Sequence, residues 1–243
     1  MSLALIDSDI LCYQAIASTE QEIDWGDDVW TLYTDLKQAK DVFNAAVDAI
    51  TNKLRPDDIL HCLSDHQNNF RKQVDPTYKS NRKGTRKPVG YKALRDWIVD
   101  TYPSMTMPNL EADDVMGILA TKPENIGKCV VVSSDKDLKT IPCKLYRPMQ
   151  DELLEITEAE ADRYFFHQTL TGDTTDGYKG CAGVGEKTAI KILGNKPTWS
   201  LVEQAFLKAG MTQEQALQQA RLARILRWSD WDEDKEAVKL WQP

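Results

Sequence analysis

Sulfur and imidazole are scarce in this chain, and what there is of them is scattered. The five cysteines, Cys12, Cys62, Cys129, Cys143 and Cys181, are odd in number and contain no Cys-x-x-Cys pair. That excludes the usual signatures of a disulfide framework, a structural zinc site or a thiol redox centre. The three histidines, His61, His66 and His167, show no ligand spacing, and satisfied structural roles are expected for them. Long apolar runs are also missing. The first, Leu3 to Ile6, is broken by Asp7 and Asp9, too short for a signal peptide or a membrane span. No repeat, low-complexity tract or Pro/Gly/Ser linker separates independent domains. The expectation is a protein of the reducing cytoplasm with no membrane association.

Positive charge is in deficit overall, with 30 Lys and Arg against 38 Asp and Glu. A net charge of −8 ordinarily counts against nucleic-acid binding, because Lys and Arg contacts to phosphate supply most non-specific affinity. The distribution overrides the total. Between residues 71 and 87 lie Arg71, Lys72, Lys79, Arg82, Lys83, Arg86 and Lys87, opposed only by Asp75. A basic patch therefore sits in an acidic protein.

Three short apolar runs read as buried strands: Leu3–Ile6, Ile59–Leu63 and Cys129–Val132. Each runs into carboxylates, at Asp7-Ser8-Asp9, Ser64-Asp65 and Ser133-Ser134-Asp135-Lys136-Asp137. In open parallel α/β sheets the C-terminal strand edge is where active sites collect. Between the runs, Phe43, Val47, Ile50 and Leu54 recur at helical period, as do Leu94, Trp97 and Ile98. The expected fold is α/β, a mostly parallel central sheet flanked by helices. Beyond about residue 156, capping-box signals at Thr157-x-x-Glu160 and Thr212-x-x-Gln215 open periodic stretches. The reading divides the chain into an α/β body, 1–156, and a helical region, 157–243. The acidic stretch 20–28 is expected to be a solvated loop.

The candidate chemistry lies in Asp7, Asp65, Glu111, Asp113, Asp114, Asp135, Asp137, Asp173 and Asp176. Taken singly, each has a structural explanation as a strand end, a helix-capping acid or a turn residue. Their joint placement carries the argument, because three follow strand ends and the rest lie in short acidic clusters. If Asp173 and Asp176 share a helical turn, their spacing puts both on one face, and Glu111 with Asp114 could do likewise. Two unit charges ~5 Å apart at an effective dielectric of ~20 repel by roughly 3 kcal/mol. Converging carboxylates therefore call for cations, and oxygen donors without His or Cys favour magnesium or manganese. A pair of such ions suits phosphodiester hydrolysis.

Taken together, these elements resemble the 5′-to-3′ exonuclease and flap endonuclease family, nearest to the small exonucleases of short-tailed bacteriophages. The likeness rests on Leu5-Ile6-Asp7 with Asp9, Asp65 followed by Asn69-Phe70-Arg71-Lys72, and Val74-Asp75-Pro76-Thr77-Tyr78-Lys79-Ser80-Asn81-Arg82-Lys83. It continues through Leu110-Glu111-Ala112-Asp113-Asp114-Val115, Ser133–Asp137, Gly172-Asp173-Thr174-Thr175-Asp176-Gly177, and the ending Ala223-Arg224-Ile225-Leu226-Arg227-Trp228. The resemblance implies one metal position among Asp7, Asp65, Glu111, Asp113 and Asp114, and a second among Asp135, Asp137, Asp173 and Asp176. Asp135 and Asp173 are the members expected to be indispensable to catalysis. Where many members carry Asn after the last aspartate of Gly-Asp-x-x-Asp, this chain has Gly177.

The same resemblance makes the basic segment, about 66–92, an arch over the active site. Lys79 and Arg82 would polarise the scissile phosphate there, and Tyr78 would offer a stacking surface. Without that context, such a charge run reads as a solvated loop. The stretch Gly180-Cys181-Ala182-Gly183-Val184-Gly185-Glu186-Lys187-Thr188-Ala189 is a Gly-rich turn delivering a helix N-terminus, suited to a phosphate. Within 170–194 it resembles a helix-hairpin-helix that grips duplex backbone through Gly183, Gly185 and Lys187, with a monovalent cation among the expected ligands. The implied activity is 5′-to-3′ hydrolysis of duplex DNA from ends or nicks by a monomer, in the host cytoplasm if phage-encoded, with RNA in RNA–DNA hybrids left open as a substrate. A flap endonuclease uses the same site, a non-catalytic DNA-binding protein would have a degenerate one, and a metal-dependent phosphatase would need neither arch nor hairpin.

Overall fold

A computed structural model describes residues 2–243. The chain begins with β1 (Leu3–Asp7) and α1 (Ser8–Thr19), then forms a hairpin of β2 (Glu20–Asp24) and β3 (Trp30–Thr34). It continues through α2 (Leu36–Leu54), β4 (Asp58–Cys62), the single turn α3 (Arg71–Val74), α4 (Tyr91–Thr101) and β5 (Ser104–Met105). Next come α5 (Ala112–Thr121), β6 (Cys129–Val132), β7 (Lys144–Arg147) and β8 (Glu152–Glu155). Four helices follow, α6 (Glu158–Thr171), α7 (Glu186–Leu193), α8 (Trp199–Lys208) and α9 (Gln213–Ala223), before a last hairpin of β9 (Trp231–Asp232) and β10 (Ala237–Val238).

The central sheet has the order β5-β4-β1-β6-β7-β8. Its first five strands run parallel, and only β8 is antiparallel, to β7. Ala4, Leu5 and Ile6 of β1 have no exposed surface, as a strand covered on both faces requires. One side packs against α5, where Val115, Met116 and Ile118 join Leu5 and Val131. On the other, Phe43 of α2 and Leu94 and Ile98 of α4 meet Cys12 and Ile16 of α1. Both anticipated capping boxes are present, at Thr157 with Glu160 and at Thr212 with Gln215.

One expectation about local structure fails. The acidic stretch 20–28 is not a loop throughout, since Glu20–Asp24 pairs in register with Trp30–Thr34. The hairpin costs little because most of its carboxylates stay solvated while the β-branched and aromatic partner strand supplies the pairing. The C-terminal region is mostly helical, as expected, through α6 to α9; beyond Ala223 the chain returns to the sheet, where Ile225, Leu226 and Trp231 join the cluster built on α5. The structure thus ties 157–243 into the core of the α/β body.

Candidate active site

The exits of β1, β4 and β6 deliver carboxylates to one edge of the sheet. Asp7 ends β1 and caps α1, with Oδ1 accepting the Ile10 N–H at 3.2 Å and Oδ2 the Ser133 hydroxyl at 2.7 Å. Asp9 Oδ2 accepts the Ser64 N–H at 2.9 Å, tying α1 to the β4 exit. Beyond β6, Asp135 Oδ1 accepts the Asp137 N–H at 2.8 Å, and Asp137 Oδ1 accepts from Gln168 Nε2 of α6 at 2.6 Å. Glu111 is the N-cap of α5, which places Asp113 in that helix's first turn. Asp173 and Asp176 lie in a turn between α6 and α7, closed by a bridge from Asp173 to Tyr178. They do not lie on a helix: Asp173 Oδ1 instead accepts the N–H groups of Thr175 at 2.7 Å and Asp176 at 3.2 Å.

These groups act on one another electrostatically. Burial, together with the charges of Asp9 and Asp135, pushes Asp7 up to about 7. Burial, then Asp135, Asp7 and Glu111, raises Asp113 well above the ordinary carboxylate range. Asp137 is pushed up to about 7 by burial and by Asp135 and Asp173. Asp135 therefore bears on both sides, joining Asp7 and Asp113 to Asp137 and Asp173. By contrast, burial works against the Glu111 carboxylate, but Lys79 and Arg71 outweigh it and hold Glu111 at about 2. Burial likewise opposes Asp173, yet the Thr175 and Asp176 amides and Lys136, 3.5 Å away, leave it below its usual value. Among the described residues, no three His, Cys, Asp or Glu side chains are drawn together into a finished metal cage. The donor chemistry nevertheless fits a hard divalent cation, because buried carboxylate oxygens repel one another; the thiol of Cys62, beside Asp7 on β4, is pushed up by burial and by Asp7, Asp9 and Asp113 and so stays protonated.

Lys79 and Arg82, the two cations expected at the site, lie against its carboxylates. Lys79 adopts a left-handed backbone (φ 55°), its N–H donates to the Asp176 carbonyl at 2.8 Å, and its ammonium donates to Glu111 and lies 3.5 Å from Asp176. Arg82 Nη2 donates to Asp176 Oδ1 at 2.6 Å, while Asn81 donates to the carbonyls of Thr174 and Thr175. The first half of the basic segment is thus stitched to the turn that carries Asp173 and Asp176. Gly177 ends that turn at φ +80°, and an added Cβ would lie 3.5 Å from Asn81 Oδ1.

Several assigned roles must be corrected. Asp114 is fully buried, and its two oxygens accept from Arg71 Nη1 and Nη2, Glu111 N–H and Leu226 N–H at 2.7 to 3.2 Å. A carboxylate has about four lone-pair sites, so none remains for a metal. Arg71, also buried, spends its guanidinium on Asp114, Glu111 and the carbonyls of Leu222 and Arg224, and is not a DNA contact. Tyr78 is no stacking platform, because its ring is buried and its hydroxyl meets Glu111 at 3.0 Å and Asp176 at 2.8 Å. Arg86 is engaged by Glu20, at 2.6 and 2.8 Å. Asp65 is already committed to three backbone amides, Asn109, Gln67 and Asn68, which hold it below the ordinary value.

Lys72, Lys83 and Lys87 remain outside any ion pair among the described residues. Ser133, Gln168 and Lys136, which orient or balance the carboxylates, escaped the sequence analysis. Only Lys136 carried a legible signal, as a cation between two aspartates. His61 meets expectation: buried beside Ser8 Oγ at 2.7 Å, it is pushed down to about 4 by burial.

The Gly-rich turn follows Gly172 and Gly180, whose backbones touch. A Cβ on Gly180 would fall 2.3 Å from the Gly172 nitrogen, and both have positive φ. Beyond it, Gly185 caps α7 without a side-chain acceptor, and Cβ atoms at Gly183 or Gly185 would meet nothing within 4 Å. The first amides of α7 are thereby left accessible to a ligand.

Residues 2–164 match the family described as 5′-3′ exonuclease, N-terminal resolvase-like domain. The chain is 31% identical to the exonuclease of Escherichia phage T7, over 99% of this chain and 93% of that protein. It is 29% identical to the exodeoxyribonuclease of Enterobacteria phage T3, with the same shares covered. Its fold is similar to that of bacteriophage T5 D15 flap endonuclease, whose crystal structure is a pseudo-enzyme-product complex with DNA and metal ions. The TM-score there is 0.61 at 14% identity, covering 92% of this chain and 89% of the other. The match over most of the sheet and the near full-length phage relatives agree, and the chain belongs to the 5′-3′ exonuclease family of nucleases.

Proposed function

We propose that this chain hydrolyses duplex DNA from 5′ ends and nicks, releasing 5′-phosphorylated products, with two Mg²⁺ ions held by its carboxylates and Mn²⁺ as a substitute. The observation that carries the reading is the convergence of Asp7, Asp113 and Asp135 with Asp137 and Asp173, beside Lys79 and Arg82. Divalent cations supply, when bound, a more acidic attacking water and charge to stabilise the leaving oxygen. Asp7, Glu111 and Asp113 would hold one ion and Asp135, Asp137, Asp173 and Asp176 the other. Ser133 and Gln168 orient Asp7 and Asp137 through their hydrogen bonds.

Lys79 is held by Glu111 and Asp176 in the free enzyme, and a phosphate arriving beside them would compete for its ammonium. Pre-set cations of this kind stabilise charge that develops in the transition state. Lys72 and Lys83 would meet further phosphates, as would Lys87 from its place over the Tyr91 ring, and the accessible amides before α7, with Lys187, would grip the duplex as a helix-hairpin-helix.

End-dependence tests the reading. Linear duplex and a nicked circle are expected to be degraded in Mg²⁺ buffer, a covalently closed circle of the same sequence to survive, and chelator to stop the reaction. Rapid cutting of the closed circle would refute the required 5′ end. Labelled products separate exonuclease from flap endonuclease action, as mononucleotides against a released oligonucleotide.

A further inference from the structure

The segment Leu222–Asp230 contributes nothing to the carboxylate cluster, yet it is bonded to the elements that carry both halves of it. Leu226 N–H donates to Asp114 Oδ1 at 3.1 Å in the first turn of α5, and Trp228 N–H donates to Thr121 Oγ1 at 2.7 Å in its last. Between these points the backbone lies directly on the helix. A Cβ at Gly117 would stand 2.3 Å from the Leu226 carbonyl oxygen, so glycine alone permits the approach. Arg71 then ties the root of the basic segment to the same place. Its guanidinium donates to Asp114, to Glu111, to the Leu222 carbonyl at 3.1 Å and to the Arg224 carbonyl at 2.5 Å.

The following residues reach the other half. Arg227 Nη2 donates to the Thr140 carbonyl at 2.9 Å, at the end of the turn that Asp137 opens, and lies 2.7 Å from Asp162 of α6. Asp230 Oδ2 accepts from Arg224 Nε at 2.8 Å and the Arg227 N–H at 2.9 Å, locking the segment's own bend. One short stretch therefore spans α5, which carries Glu111 and Asp113, and the turn and helix that carry Asp137 and its partner Gln168.

We propose that Leu222–Asp230 is a brace for the nuclease centre, with Leu226 and Arg227 as positioning residues that set the two carboxylate groups at their working separation. The inference rests on the metal-dependent reading above. It assigns to the segment a task beyond core filling: the metal response of the enzyme depends on it. Misplacing reacting groups by about 1 Å can cost on the order of 100-fold in rate.

The test uses Gly117→Ala, which leaves every site residue intact but drives a methyl into the Leu226 carbonyl, and Arg227→Lys, which keeps the charge but removes the Nη2 atom that meets both the Thr140 carbonyl and Asp162. Cleavage of linear duplex is followed against Mg²⁺ concentration, and the Mg²⁺-induced rise in Tm is measured without DNA. For both variants the brace predicts a kcat lower by about 100-fold, a Mg²⁺ requirement raised by about tenfold and a weakened Mg²⁺-induced Tm rise, with KM for DNA within about twofold. A variant that melts earlier yet keeps the wild-type Mg²⁺ response and kcat overturns the brace and leaves packing as the segment's whole role. Should Gly117→Ala not fold, Arg227→Lys decides by the same criteria. Wild-type protein inert with Mg²⁺ would instead bring down the metal-nuclease reading, and the brace with it.

Discussion

Tyr78 Oη lies 2.8 Å from Asp176 Oδ2, so a phenol rooted in the basic segment holds a carboxylate of the turn between α6 and α7. The same hydroxyl is 3.0 Å from Glu111, placing Tyr78 where three separate parts of the chain meet. Tyr78→Phe keeps the buried ring and removes only these contacts. The expected loss is about 1.5–3 kcal/mol of stability, the range for hydrogen bonds to charged groups, read from urea unfolding. An unchanged midpoint and slope would mean that Lys79 and Arg82 compensate fully.

Asp135 and Asp173 are expected to be indispensable to the chemistry but not to DNA binding. Asp135→Asn or Asp173→Asn should abolish cleavage while duplex affinity stays within about an order of magnitude, because in the proposed arrangement the basic segment and the α7 amides would hold DNA apart from the metals. Gel-shift and cleavage assays on folded variants make the comparison. Near wild-type cutting by either would remove that residue from the proposed site.

Lys79→Ala separates electrostatic stabilisation from simple phosphate contact. Single-turnover cleavage should fall by roughly 100-fold, as for loss of one preorganised stabiliser, with a much smaller change in affinity. If only the affinity moved, Lys79 would rank with Lys72 and Lys83.

The carboxylates also predict a pH dependence of stability in metal-free protein. Asp7 and Asp137 have folded-state values of about 7, raised above the ordinary 3.8. The folded state therefore binds more protons than the unfolded state in that interval, and their contribution, full below 3.8, is lost as pH rises toward 7. Glu111, held at about 2, works oppositely, but its contribution is already complete above its ordinary value of 4.5. His61, pushed down to about 4, and His167, also lowered by burial, work against them below 6.5, but Asp113 is raised along with Asp7 and Asp137. With chelator, Tm should therefore decline as pH rises from 4.5 to 7, most steeply above 6.5, and decline less with Mg²⁺, which favours the ionised carboxylates. Identical profiles with and without Mg²⁺ would count against these carboxylates as ligands.

Much of the catalytic edge was legible because the signal is local. An apolar run followed by Asp identifies a buried strand and its exit, and the Leu3–Ile6, Ile59–Leu63 and Cys129–Val132 runs became β1, β4 and β6. Capping boxes are equally local, since the two residues concerned are three apart. The sequence by itself thus determined the parallel α/β core, the carboxylate-bearing strand ends and the family. Which carboxylates stay free was a different matter. Asp113 and Asp114 are neighbours, yet Asp114 is taken by Arg71 and by a backbone amide 112 residues away, while Asp113 is raised by burial and by the charges of Asp135 and Asp7. Arg71 and Tyr78 looked like surface groups of a basic run, and only the return of Leu222–Leu226 and the turn at Asp176 bury them. Tertiary structure decided these roles because a charged group's availability depends on whether distant donors already fill its lone pairs, and no pattern of residue types along the chain records that.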